Sequence, residues 1–239
     1  MRLNSYLNEI IEVDTDIIIK TLKKDCNHIL RYYKTQGPLY RGIITQGVFF
    51  PKTGHDTHRG RNPKDTPKWA HDYLNAKLQL KFGWNVRDGV SVSTQHRQAD
   101  SYGTVHVFFP VNGFKWAYIK SISDMFTFID DSLGVIDTRK FNQGYEKYDE
   151  WNEKFGSDDS RGNFKMTKST TPYREAGLDD VLDEVVEKYT DKPWTGHVGE
   201  VLFNTKKYYM LNLGLLDVQP SLNVFKELDI FQKVAVTIR

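Results

Sequence analysis

Three short runs in this chain carry residue types that do chemistry. Leu39-Tyr40-Arg41-Gly42-Ile43 sets a guanidinium inside an apolar stretch. Burying that charge is costly unless it is paired, and Gly42 lets something flat or charged approach the backbone closely. Arg41 therefore reads either as a structural ion pair with one of 31 acidic side chains or as a planar fork for a phosphate. Ser91-Val92-Ser93-Thr94-Gln95 places hydroxyls at the end of a short alternating run. Such hydroxyls commonly turn or cap the backbone; the chemical alternative is a hydroxyl that fixes a neighbouring carboxylate. Glu200 follows the turn-forming stretch Trp194-Thr195-Gly196-His197-Val198-Gly199 and opens the run Val201-Leu202-Phe203. A carboxylate at the mouth of a strand either points into a cleft or is solvated at an edge.

The elements that must position these runs follow from periodicity. Residues from about Thr15 to Tyr33 are expected to form a helix, because Ile17, Ile18, Leu22, Cys26, Ile29, Leu30 and Tyr33 recur near 3.6-residue spacing. Lys20, Lys23, Lys24 and Asp25 take its other face, and Gly37-Pro38 ends it. Cys26 lies on the apolar stripe and reads as core rather than nucleophile. A second helix is expected from about Pro67 to Lys81, stopped by Gly83, and a short acidic one over Leu178–Val186. Gln98–Tyr102 reads as one or two helical turns. Strands are expected at 38–43, 90–94, 104–109, 114–118, 199–203, 208–211 and 234–238, with Asn112-Gly113 as a turn. Helices first and strands afterwards point to an α+β fold with a largely antiparallel sheet.

Composition narrows the function classes. At 239 residues the chain reads as one domain spanning 1–239, with a helical segment over about 1–36 and a polar, Gly-containing insertion over about 142–171. Thirty-three Lys and Arg against 31 Asp and Glu leave a net charge of +2, which permits nucleic acid as a partner without demanding it. The single cysteine, Cys26, excludes a disulfide framework and a Cys-rich zinc site. No run approaches the ~18 apolar residues of a membrane span, and Met1–Glu9 lacks the apolar core of a secretory leader. A soluble intracellular protein is expected. Neither G-x-G-x-x-G nor a P-loop is present.

In their order and spacing, the three runs resemble the mono-ADP-ribosyltransferases of the Arg-Ser-Glu class. The resemblance rests on Leu39-Tyr40-Arg41-Gly42, on Val90-Ser91-Val92-Ser93-Thr94 with Ala99-x-x-Tyr102, and on Gly199-Glu200-Val201-Leu202-Phe203 running through Asn204–Lys207 into Tyr208-Tyr209-Met210. The segment from Arg61-Asn62-Pro63 through Gly83, Arg87 and Tyr102-Gly103 to Phe109-Pro110 also resembles a group of tailed-bacteriophage proteins. The likeness covers most of residues 38–211, with a dozen or so specific positions. It implies two packed, mainly antiparallel sheets flanked by helices with an NAD cleft between them. It also implies transfer of ADP-ribose from NAD, as substrate, to a host protein or a nucleic acid, in the host-cell cytoplasm or from a packaged copy, with no metal and no membrane partner.

By that resemblance Glu200 is catalytic, stabilising an oxocarbenium-like transition state. Arg41 holds the diphosphate and adjoining ribose, and the Gly42 backbone grips the nicotinamide amide. Ser93, or alternatively Ser91, orients Glu200. Thr94 lines the nicotinamide side, Tyr102 forms a wall for the ring or packs in the core, and Trp194 and His197 are either candidate acceptor contacts or parts of a packed turn with one exposed imidazole. Many arginine-modifying members carry Glu-x-Glu, whereas the first of those positions here is Val198, which points away from an arginine acceptor.

Four other readings compete. His55-x-x-His58 with Asp56, and His71 further on, could be offered as a metal site, but the spacing lies in a Gly-containing loop with no Cys and no helical His pair. Lys52, Arg59, Arg61, Lys64 and Lys68 form a basic stretch that is either a solvated face or a phosphate track. A non-catalytic binding or virion structural protein could retain the fold. An RNA-modifying phosphotransferase on a related fold is disfavoured because no His stands beside Arg41 in the sequence.

Overall fold

A computed structural model describes residues 15–45, 47–54, 68–119, 178–196, 198–212 and 224–230. The expected insertion at 142–171, the strand at 234–238, the His55–His58 run, most of the basic stretch and His197 lie outside these residues. The described elements in chain order are α1 (Thr15–Asp25), α2 (Asn27–Gln36), β1 (Tyr40–Ile43), β2 (Phe49–Thr53), α3 (Lys68–Phe82), a 3-10 turn (Val86–Asp88) and β3 (Val90–Val92). They continue with α4 (His96–Asp100), β4 (Thr104–Pro110), β5 (Lys115–Ile119), α5 (Leu178–Lys188), β6 (Tyr189–Thr190), β7 (Val201–Asn204) and β8 (Lys207–Asn212). The fold is α+β, with two four-stranded antiparallel sheets in the orders β1-β4-β8-β2 and β3-β7-β5-β6. Among the described residues no helix is long and apolar enough to cross a membrane.

The residues group into two compact units. The first comprises 1–56, 89–118 and 191–239, and the second 57–88 and 119–190. In the first unit, Tyr40↔Val107 and Arg41↔His106 set the register of β1 on β4, and His106↔Asn212 carries it onto β8. Strand alternation therefore puts Arg41, His106 and Asn212 on one face of the sheet. Phe108, two residues from His106, meets Phe203 of β7 at 5.2 Å between ring centroids, so this face looks toward the second sheet. The opposite face packs on α1 and α2: the Tyr33 ring lies 5.7 Å from Phe109, and its hydroxyl donates to the Phe108 carbonyl. Burying such rings stabilises each by about 1.5–3 kcal/mol.

The helix expected from Thr15 to Tyr33 is two helices, broken at Cys26. The cause is remote in sequence. Asn112, in the β4–β5 turn, donates its backbone N–H to the Asp25 carbonyl (2.7 Å) and its side-chain amide to the Lys24 carbonyl (3.3 Å). Its Oδ1 accepts the His28 N–H at 3.1 Å. One residue thus ends α1 and starts α2, its backbone and side chain satisfying backbone groups that a break exposes. Cys26 itself is fully buried, and burial pushes its thiol up to about 12. It is a core residue, as its place on the apolar stripe predicts.

The second unit pairs α3 with α5. Lys77 forms an ion pair with Asp183 at 2.9 Å, to which the Tyr73 hydroxyl also donates, and Lys81 Nζ donates to the Val186 carbonyl at 2.8 Å. Below this rim His71, Asn75 and Asp88 are buried together, with His71 Nε2 2.9 Å and Asn75 Nδ2 3.0 Å from Asp88 Oδ1. Burial holds His71 below the ordinary histidine pKa, with Asp88 opposing the shift.

Candidate functional site

All the candidate residues belong to the first unit. Arg41 sits on β1, and its Nη1 donates to the carbonyl of Ser91 at 2.5 Å. The Ser91 hydroxyl in turn donates to Glu200 Oε1 at 2.8 Å. Cation, hydroxyl and carboxylate are therefore linked through one residue of β3, although 50 and 109 positions separate the contacting partners. All three side chains belong to half-buried residues.

Strand pairing explains the convergence. Ser91 lies opposite Leu202 in the β3–β7 ladder, so Glu200, two residues away, is its diagonal neighbour on the same face, within reach of side-chain contact. β3 is joined to β1 next door: the Tyr40 N–H donates to the Ser93 carbonyl (2.7 Å) and the Ser93 N–H to the Tyr40 carbonyl (2.9 Å). That bridge brings Arg41 alongside the backbone of Ser91.

The serine at Glu200 is thus Ser91, not the Ser93 expected to orient it. Ser93 is occupied elsewhere. Its oxygen accepts the Gln95 N–H at 2.9 Å, and its hydroxyl donates to Gln98 Oε1 at 2.7 Å, which fixes the entry to α4. A hydroxyl bonding two residues ahead, just before a helix, is a readable turn-and-cap signal. It is present in Ser93-Thr94-Gln95 and would have favoured Ser91.

Thr94, expected beside the nicotinamide, is buried and spent on the loop before Glu200. Its hydroxyl donates to the Val198 carbonyl at 2.8 Å and accepts the Val198 N–H at 2.6 Å, while its own N–H reaches the same carbonyl at 3.2 Å. Val198 is buried in consequence. Trp194, expected to meet an acceptor, is wholly buried. Its ring lies 5.8 Å from Tyr32 and 5.9 Å from Trp116, so it anchors the loop in the core. Of the two expectations for Trp194 the packed turn is the one observed, since a large aromatic among other aromatics gains more by burial. Tyr102 is 59% exposed in the turn after α4 and is not a core residue.

Gly42 has a packing role that is independent of any ligand. A Cβ there would fall 1.8 Å from the Ala99 carbonyl oxygen, so only glycine lets α4 lie against β1. Gly103, at φ +127°, is pressed in the same way against Ile43. His106 is the residue that a linear reading missed. No histidine adjoins Arg41 in sequence, yet the β1–β4 register sets His106 directly opposite it. The ring is fully buried with Nδ1 2.8 Å from the Thr104 carbonyl, and burial, with Lys52 adding to it, holds its pKa below the ordinary value. It is therefore a neutral core histidine that supports the Arg41 strand. Tyr208, on the same sheet face, has its phenol pushed up by burial, against which the Arg41 charge acts.

Among the described residues no group of three or more His, Cys, Asp or Glu side chains is placed to hold a metal ion. No protein-family model, no curated protein and no solved structure matches the chain.

Proposed function

We propose that the chain transfers ADP-ribose from NAD to an acceptor and releases nicotinamide, on an ADP-ribosyltransferase-like fold. The observation that carries this reading is the hydrogen-bonded chain Arg41–Ser91–Glu200. It supplies what the reaction requires: a permanent cation for the diphosphate, and a carboxylate held in a fixed place for the positive charge that grows on the ribose. In the reaction the bond between the anomeric carbon and the nicotinamide nitrogen breaks, and its electron pair leaves with the ring. The acceptor then bonds to the same carbon and gives up its proton. Glu200 stabilises the oxocarbenium-like transition state through the ribose 2-OH and the adjacent charge. Ser91 keeps the carboxylate aimed, Arg41 neutralises the diphosphate, and the backbone of Gly42 meets the nicotinamide amide. Tyr102, exposed beside β1, is available as a wall for the ring.

The acceptor is a host protein side chain that needs no second carboxylate to activate it, or a nucleic acid. The basis is Val198, which is buried and clamped by Thr94 where arginine-modifying relatives of the resemblance carry Glu. The protein acts in the cytoplasm of a host cell, whether made there or delivered with a particle.

The test is nicotinamide release and transfer of label from NAD into host lysate, comparing the wild-type protein with Glu200→Gln. Loss of that carboxylate is expected to cost about 3–4 kcal/mol of barrier, a hundred- to a thousandfold in rate, with the melting temperature unchanged. A Glu200→Gln protein that keeps full activity removes the catalytic assignment. A folded wild-type protein that consumes no NAD, with any acceptor fraction, favours a non-catalytic binding or virion structural protein.

A further inference from the structure

Tyr208 carries a hydroxyl that neither the fold nor the chemistry above uses. The residue lies on β8, opposite Pro110 of β4 and Lys52 of β2. Strand alternation from Asn212 through Met210 puts it on the sheet face that carries Arg41 and His106. Its ring packs 5.0 Å from that of Phe108 between centroids, and only 4% of the residue is exposed. The hydroxyls of Tyr33, Tyr118 and Tyr209 each donate to an oxygen, of the Phe108 carbonyl, the Pro193 carbonyl and Asp25 respectively. No hydrogen bond reaches the Tyr208 hydroxyl among the described residues. It is not among the polar atoms sealed from solvent, so a ligand can reach it. A phenylalanine would pack on Phe108 equally well, so the hydroxyl answers to something other than the core.

We propose that the Tyr208 hydroxyl donates a hydrogen bond to a phosphate oxygen of the dinucleotide that Arg41 neutralises. The inference rests on the transferase reading, which brings a diphosphate to Arg41. Burial pushes the phenol up and the Arg41 charge opposes it, so the hydroxyl keeps its proton at neutral pH and is a donor. Lys52, directly across the ladder on the same face, is exposed and has no ion-pair partner among the described residues. Its ammonium lies 5.8 Å from the centre of the Phe50 ring. A neutral donor in the company of a guanidinium and an ammonium matches an anionic oxygen. It does not match the reacting ribose, whose growing positive charge belongs beside Glu200 and away from cations. Arg41 supplies charge and a planar fork; the phenol adds direction, because its packed ring leaves only the O–H free to turn.

The experiment is isothermal titration calorimetry of the full chain with ADP-ribose, which carries the diphosphate and has no nicotinamide to lose. Tyr208→Phe should bind about tenfold or more weakly, as expected for a lost hydrogen bond to a charged group. Its melting temperature should stay at the wild-type value, because no bond within the protein is removed. Tyr209→Phe, one residue on and on the opposite face, loses its bond to Asp25. It should lower the melting temperature and leave the affinity as it is. Wild-type affinity in Tyr208→Phe would leave the hydroxyl to water alone and overturn the proposal. So would equal weakening by Tyr209→Phe, or no binding of ADP-ribose by the folded wild-type protein. Nicotinamide release from NAD by the same preparations separates this contact from the transferase reading. Release with an unchanged KM in Tyr208→Phe removes the phosphate contact alone. Binding of ADP-ribose through Tyr208 without any release supports the contact and removes the transferase reading.

Discussion

Replacing each serine of the Ser91-Val92-Ser93 run in turn separates orientation of the carboxylate from construction of the fold. Ser91→Ala removes one hydrogen bond, the 2.8 Å donation to Glu200 Oε1. It keeps the Ser91 carbonyl, and with it the Arg41 contact. A hydrogen bond to a charged group contributes about 1.5–3 kcal/mol, so nicotinamide release should slow by about ten- to a hundredfold. The melting temperature should barely move, because Glu200 is half-buried and water can take over the lost bond. Ser93→Ala does the opposite. It strands the Gln95 N–H and Gln98 Oε1 beside a buried position and should cost about 1–2 kcal/mol of stability, while the protein that remains folded keeps its rate. The assay is paired: steady-state nicotinamide release, and thermal unfolding of the same preparations. The reasoning is refuted if Ser93→Ala abolishes turnover at wild-type stability while Ser91→Ala is neutral.

Other perturbations follow from the same geometry. Gly42→Ala forces backbone to move, since its Cβ would meet the Ala99 carbonyl oxygen at 1.8 Å; both stability and NAD turnover should fall, and a variant with wild-type unfolding contradicts the close packing of α4 on β1. Asn112→Ala removes the bonds to the Lys24 carbonyl and from the His28 N–H and should destabilise by about 1–2 kcal/mol, read from the urea midpoint. His71 and His106 are both held below the ordinary histidine pKa by burial. The unfolded chain therefore takes up protons first as the pH falls. The stability these neutral rings contribute is complete above about pH 6.5 and declines as the pH drops toward their folded values, so His106→Asn should lessen the loss of urea resistance between about pH 7 and pH 5. Cys26, buried with its thiol near 12, should resist a maleimide in the native protein and react on unfolding.

The sequence disclosed what depends on local pattern. The alternation of 104–109, the Asn112-Gly113 turn and the amphipathic period of Thr15–Tyr33 all correspond to observed elements, and they lead to the α+β class. It disclosed less where a distant residue decides. The break at Cys26 is made by Asn112, more than 80 residues away, and nothing in the α1–α2 pattern announces it. For Trp194 the sequence leaves an acceptor contact and a packed turn both open, because its burial depends on Tyr32 and Trp116, neither of which is near it in sequence. Ser91 and Ser93 share one strand face by parity, so alternation alone cannot choose between them; the choice is made by the start of α4, which claims the Ser93 hydroxyl. His106 became Arg41's neighbour only through the β1–β4 register.

The hydroxyl run thereby acquires a single structural logic. Its three side chains do three jobs, and all of them bear on Glu200 and Arg41. Ser91 holds the carboxylate directly. Ser93 starts α4, which packs so closely on β1 that position 42 tolerates only glycine, and its backbone bridges Tyr40 beside Arg41. Thr94 clamps Val198, two residues before Glu200, by three hydrogen bonds. The carboxylate is therefore held twice, through its side chain and through the backbone of the loop two residues before it, before any ligand arrives. Electrostatic catalysis needs that arrangement, because a charge that must reorganise during the reaction stabilises the transition state less than one already in place. Thr94→Val, which keeps shape and removes the two hydroxyl bonds of the clamp, should therefore lower nicotinamide release although the Thr94 hydroxyl bonds to Val198 and not to the carboxylate. Because Thr94→Val leaves the Ser91–Glu200 bond chemically intact, its effect should add less than fully to that of Ser91→Ala in a double-mutant cycle. Strict additivity of the two would show that the loop clamp and the serine do not act on the same carboxylate.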